Sequence, residues 1–193
     1  MLVYDIEPFF NWRHLYIAEE DEKSPFYGRE YSEIEFTHAI YNFVIHPQWD
    51  HFGSETMYIK ILFVDYDEGY CFLEMIGEWN DAVTNDMMML KRDILDEMLL
   101  LKVNKFIVIG ENVLNFHASD DSYYEELFED VGEKGWTIFL NFRSHVLTEF
   151  RNNNIDYFFH SGGELDDFNW RRFSPGQVFG NLSRIIKKRL NAS

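Results

Sequence analysis

Lys105-Phe-Ile-Val-Ile-Gly110 is the stretch on which the fold turns. An apolar run closed by a glycine reads as a strand buried on both faces, the kind found inside a parallel sheet. Behind it comes Glu111-Asn-Val-Leu-Asn-Phe-His-Ala-Ser-Asp-Asp-Ser122, rich in turn and cap residues. Next is Tyr123-Tyr-Glu-Glu-Leu-Phe-Glu-Asp-Val131, where Tyr124, Leu127, Phe128 and Val131 share one helical face. Strand, polar turn and returning helix make the repeating unit of an α/β sheet. In such sheets the loop at the carboxyl end of a strand is where ligands and partners are met.

Upstream, residues 57–64 and 70–76 are two β-rich runs joined by Asp65-Tyr-Asp-Glu-Gly69, the pattern of an antiparallel hairpin. Gly77-Glu-Trp-Asn-Asp81 is expected to break the second strand, after which Thr84, Asn85 or Asp86 can cap a helix over 87–102. Leu90, Ile94, Met98 and Leu101 form its apolar stripe. Downstream, residues 136–142 read as a strand, Ser144 as the cap of a short helix carrying Val146, Leu147 and Phe150, and residues 155–159 as a last strand. A final helix over 178–190 places Leu182, Ile185, Ile186 and Leu190 on one side. Its Arg184, Lys187, Lys188 and Arg189 suit the negative C-terminal end of a helix dipole, and docking on the acidic body of the same chain accounts for it. Residues 1–55 differ in texture: aromatics such as Trp12, Tyr31, Phe36 and Trp49 interleave with acids, and residues 36–46 read as a strand ending at Pro47. These aromatics either cover a face of the sheet or form a docking patch. The expected class is α/β in one domain. A mixed sheet begins with an antiparallel hairpin and continues as alternating strands and helices over 56–160. Extensions of residues 1–55 and 161–193 flank it.

The order hairpin, helix, strand, helix, strand, helix, strand over residues 57–159 resembles the STAS domain, shared by sulphate transporters and antagonists of anti-sigma factors. Gly77-Glu78-Trp79-Asn80 stands where that family often carries Gly-Glu-Leu-Asp before its first helix. Residues 106–119 parallel its apolar strand, a second apolar patch and a serine-containing turn. The resemblance implies a regulatory, protein-binding domain, and it places Ser119, or with one gap in the register Ser122 after Asp121, at the phosphorylated position. His117-Ala118-Ser119-Asp120 lacks the acid, the first serine and the glycine of the family's Asp-Ser-Ser/Thr-Gly.

With 193 residues, 46% hydrophobic and 18% aromatic, the chain can build a large core. A formal net charge of -17 opposes binding to nucleic acid or to an anionic membrane surface. Cys71 is the only cysteine, so no internal disulfide forms. The N-terminus lacks a signal-peptide pattern and no apolar run spans a bilayer, so the expected location is the cytoplasm. No pattern calls for a cofactor.

Glu111, Asn115, His117, Ser119, Asp120, Asp121, Ser122 and Tyr123 form the first candidate site, a polar loop beyond the central strand. It reads as a contact or regulatory surface for another protein or for a second copy of the chain. A helix cap with solvated acids explains the same residues. His38, His46, Asp50 and His51 form the second, near the acidic hairpin turn of Asp65, Asp67 and Glu68. Histidines with carboxylates can hold zinc or iron, which would make the chain a metal-dependent hydrolase.

Overall fold

A computed structural model describes residues 2–4, 6–32 and 34–191. Three short strands come first: β1 (Leu2–Tyr4), β2 (Ala39–Ile40) and β3 (Phe43–Ile45), in the order β1-β3-β2. The single strand expected over 36–46 is therefore a hairpin. Ala39 pairs with Val44 and Ile40 with Phe43 around a two-residue turn, where Tyr41 takes a φ of 52°. Two-residue hairpin turns need such a positive φ, and a tyrosine gave no sign of it in the sequence.

The main sheet holds β4 (Met57–Asp65), β5 (Tyr70–Asn80), β6 (Lys105–His117) and β7 (Trp136–Leu140) in that spatial order. β4 and β5 are the expected antiparallel hairpin; β5, β6 and β7 are parallel. Between β5 and β6 run α1 (Asp86–Leu90), a π-helical turn over Lys91–Leu95 and α2 (Asp96–Leu100). Between β6 and β7 lies α3 (Ser122–Val131); α4 (Ser144–Asn152) and α5 (Pro175–Leu190) follow β7. The cap of α1 comes from none of the three expected side chains. Asp81 Oδ1 accepts the Met87 N–H at 2.8 Å.

Two sequence expectations fail at strand ends. Gly110 does not close the central strand, and Gly77 does not end β5. Both strands run on, β5 to Asn80 and β6 to His117, paired in parallel. β6 accommodates one extra residue between Ile109 and Asn112 and another between Val113 and Asn115. Such bulges shift which face each side chain meets, so the two-residue alternation that marks a strand is lost. Gly77 sits at φ 118°, and a Cβ there would come 2.1 Å from the Thr56 carbonyl oxygen. The strand expected over 155–159 is a 3-10 turn (Ile155–Tyr157), and pairing survives only as one parallel bridge between His160 and Ile138.

Each face of the sheet carries a core. Cys71, Leu73, Met75, Phe106, Val108 and Phe139 point to the first face, under α1, α2, α3 and α4. Trp79, wholly buried, gathers Phe116, Tyr124, Phe139, Phe142 and Phe150 around the projecting ends of β5 and β6. On the second face Phe72, Ile107, Ile109, Ile138 and Leu140 meet Val178, Leu182 and Ile186 of α5 together with Trp12 and Trp170. Among the described residues no helix is long and apolar enough to cross a membrane.

Candidate functional site

The eight residues expected in one polar loop separate, because strand pairing carries 111–117 onward with side chains on both faces. Glu111 turns to the second face. Asn115 and His117 turn outward to Glu78 on β5: Asn115 Nδ2 donates to Glu78 Oε1 at 3.0 Å, and His117 Nε2 lies 3.8 Å from Oε2. The Tyr41 hydroxyl, from the small N-terminal hairpin, donates to the same Oε2 at 2.6 Å. Burial alone would raise the pKa of Glu78. The hydrogen bonds from Tyr41 and Asn115 and the neighbouring His117 outweigh it and hold the carboxyl below its ordinary value.

Ser119, Asp120, Asp121 and Ser122 are exposed just beyond this cluster. The Asp120 carboxylate accepts the N–H and the hydroxyl of Ser122, and these bonds lower its pKa. The backbone carbonyl of Asp121, not its side chain, takes the first N–H groups of α3. Tyr123 is half-buried, with the Arg92 guanidinium 5.7 Å from its ring centre. Asn115 and His117 thus gather with Glu78 and Tyr41, and exposed Ser119, Asp120 and Asp121 follow them in the chain, while Glu111 and Tyr123 belong elsewhere.

Glu111 joins a carboxylate pair that sequence reading did not find. Its Oε1 accepts from Asn141 Nδ2 at 2.8 Å and from Trp170 Nε1 at 2.9 Å, while Arg171 binds Oε2. Arg171 Nη2 also reaches Glu74 Oε1 at 3.5 Å, and the Phe9 N–H donates to Glu74 Oε2 at 2.8 Å. Burial is opposed at Glu111 by the three donors, which keep its pKa below the ordinary value. At Glu74 burial wins over Phe9 and Arg171, and with the repulsion of Glu111 it pushes the carboxyl up to about 7. The two acids therefore part in pKa, as in proton-transfer pairs. Asn141, at φ 55° just past the end of β7, also accepts the Phe168 N–H through Oδ1 at 2.7 Å and donates to the Phe168 carbonyl through Nδ2 at 2.9 Å. A cleft of about 190 Å3 opens here, lined by Glu111, Asn141, Asp167, Asn169 and Arg171. Glu74 was invisible in the sequence because it sits inside an apolar strand with no motif around it.

The four N-terminal candidates are also placed. His38 and His51 lie against the Tyr58 ring, with centroids 5.1 and 5.7 Å away. Burial, with repulsion from His51 and Arg29, lowers the pKa of His38. His46 Nδ1 accepts the Gln48 N–H at 3.2 Å, which leaves Nε2 to face Glu7 at 3.5 Å. Asp50 is wholly buried; Tyr31 and Arg29 bind one oxygen and Lys60 approaches the other at 3.3 Å. Asp50 pairs with Ile59, so the acidic turn at residues 65–68 is a strand's length away, about 20 Å at 3.3 Å per residue. Among the described residues no group of three or more His, Cys, Asp or Glu is placed to hold a metal ion.

No protein-family model matches the chain, and no curated protein matches it.

Proposed function

We propose that the chain is a non-enzymatic interaction domain, similar in element order to STAS domains, that binds a protein with a basic surface. Its contact face is the projecting ends of β5 and β6 with the start of α3. The observation that carries this reading is the cluster of half-buried Glu78 with exposed Asn115 and His117, followed by exposed Ser119, Asp120 and Asp121. Glu78, Asn115 and His117 meet at one end of the sheet, and the exposed Ser119, Asp120 and Asp121 follow His117 in the chain; three of the six are acidic. A net charge of -17 steers a basic partner toward the molecule and repels acidic ones. The run of hairpin, helix, strand, helix, strand, helix supports the STAS-like part of the proposal; the missing strand at 155–159 departs from it.

A photo-crosslinking residue placed at Ser119, and separately at Lys187 on the exposed side of α5, tests the contact in native lysate. A defined protein adduct is expected at position 119 only. It should be lost in Asp120→Lys, Asp121→Lys and weakened at about 0.5 M salt, where the Debye length falls to a few ångströms. The same adducts from both positions, or none from either, would remove the reading.

A further inference from the structure

A cavity of about 500 Å3 lies away from that face, between the N-terminal segment and the outer edge of β4. This is the size range of small-molecule sites. Phe9, Phe10, Ile17 and Leu62 give it apolar walls. Phe10 is 63% exposed in spite of its size, so one wall lacks a packing partner on its outer side.

The charges around the cavity are unequally engaged. Lys60 is occupied: its ammonium lies 3.3 Å from Glu19 and 3.3 Å from Asp50, over the Tyr31 ring. Arg13 is different. Its guanidinium approaches Glu19 only at 3.6 Å, half-exposed, and among the described residues its side chain donates no hydrogen bond. A guanidinium carries five N–H donors in a planar fork that matches a carboxylate. Gln48, half-buried on the same lining, likewise keeps its side-chain amide unbonded among the described residues. Arg29, 3.4 Å from Asp50, shares that charge with Lys60, so Lys60 answers Glu19 and Arg13 is left to meet an incoming carboxylate. Glu7 on the rim is 55% exposed and answers an ammonium.

The geometry points to a second binding site in this cavity, for a small carboxylic acid whose apolar body is about the size of an aromatic ring. Arg13 holds the carboxylate, Gln48 offers an amide, and Phe9, Phe10, Ile17 and Leu62 enclose the body. Two sources share this chemistry: a plain aryl acid, and an amino acid whose ammonium faces Glu7.

Calorimetric titration of the full chain with phenylacetate, phenylalanine and phenylalaninamide tests the site. Ligands of this size reach millimolar Kd, so each is taken to about 10 mM. One of the two acids is expected to bind at least about tenfold tighter than the amide, since charge-assisted bidentate bonds are the strong ones. The tighter acid identifies the source. Arg13→Gln should erase the advantage of the acid while leaving the thermal midpoint unchanged, as befits a half-exposed side chain. Ile17→Trp, which fills the cavity, should abolish binding of all three. No heat from any probe, equal affinities for acid and amide, or an unaltered preference in Arg13→Gln would overturn the site.

Discussion

At the scale of single residues, two positions show how burial sets what a side chain does. Gly110 is not a turn residue. It lies inside β6, and the Phe142 ring presses on it so closely that a Cβ would stand 2.3 Å from the ring carbon. Gly110→Ala must therefore push Phe142 out of the aromatic cluster around Trp79. The expected loss is about 1–3 kcal/mol, the usual cost of overpacking, read from the urea midpoint. Glu74 acts through its proton. Its pKa rises from 4.5 to about 7 in the fold, so the folded form binds that proton more tightly than the unfolded chain does. The stabilisation is complete below pH 4.5 and is lost as pH rises through 7. Comparing wild type with Glu74→Gln by urea unfolding between those limits isolates it. The balance should move toward the glutamine variant by up to roughly 3 kcal/mol as pH rises, at 1.36 kcal/mol per pKa unit. A difference that stays flat with pH would place Glu74 at its ordinary pKa.

Among the elements, those that the sequence announces are the ones whose two faces have simple environments. Residues 106–109 are apolar because both faces of β6 are covered there, and α3 and α5 are amphipathic because each lies on one core. The far half of β6 was illegible because two bulges break its alternation and because Asn112, Asn115 and Gly110 mimic a turn. The misread strand ends also hid the place of Glu78 beside Asn115, since the two meet only when both strands run on. The π-helical turn was equally silent. It brings Lys91, 1% exposed, to Asp96 Oδ1 at 2.7 Å, Glu126 Oε1 at 3.2 Å and Asp130 Oδ2 at 2.6 Å, tying α1 and α2 to α3. Burial opposes its charge, but the three carboxylates hold its pKa above the ordinary value. Arg92 beside it meets Asp96 and Glu126 in the open, 48% exposed. Lys91→Met should cost about 1.5–3 kcal/mol, somewhat less than a fully buried pair because its carboxylates are partly solvated. Arg92→Ala should cost at most about 0.5–1 kcal/mol. Equal losses in a denaturation series would mean that the π-turn lysine is no more than a surface charge.

For the molecule as a whole, the second face of the sheet is covered by the two ends of the chain acting together. Trp12 Nε1 donates to the Phe173 carbonyl at 3.0 Å, Phe9 packs on Trp170 at 4.6 Å, and Phe9 also supplies the N–H that binds Glu74. The amphipathic pattern of α5 was plain in the sequence, but its seat was not, because nothing local says which of two apolar sheet faces a helix will choose. Since α5 covers Phe72, Ile107, Ile138 and Leu140 through Val178, Leu182 and Ile186, a chain ending at residue 173 leaves that face open. An apolar area of this extent in water favours association or a loosened core. The truncated chain is expected to bind the dye ANS, to lose near-ultraviolet circular dichroism from Trp12 and Trp170, and to keep its far-ultraviolet signal. The full chain should unfold in one step by both signals, because the two cores share the strands between them. If the truncated chain instead melts sharply near the temperature of the full one, α5 is an appendage and the first face alone holds the sheet.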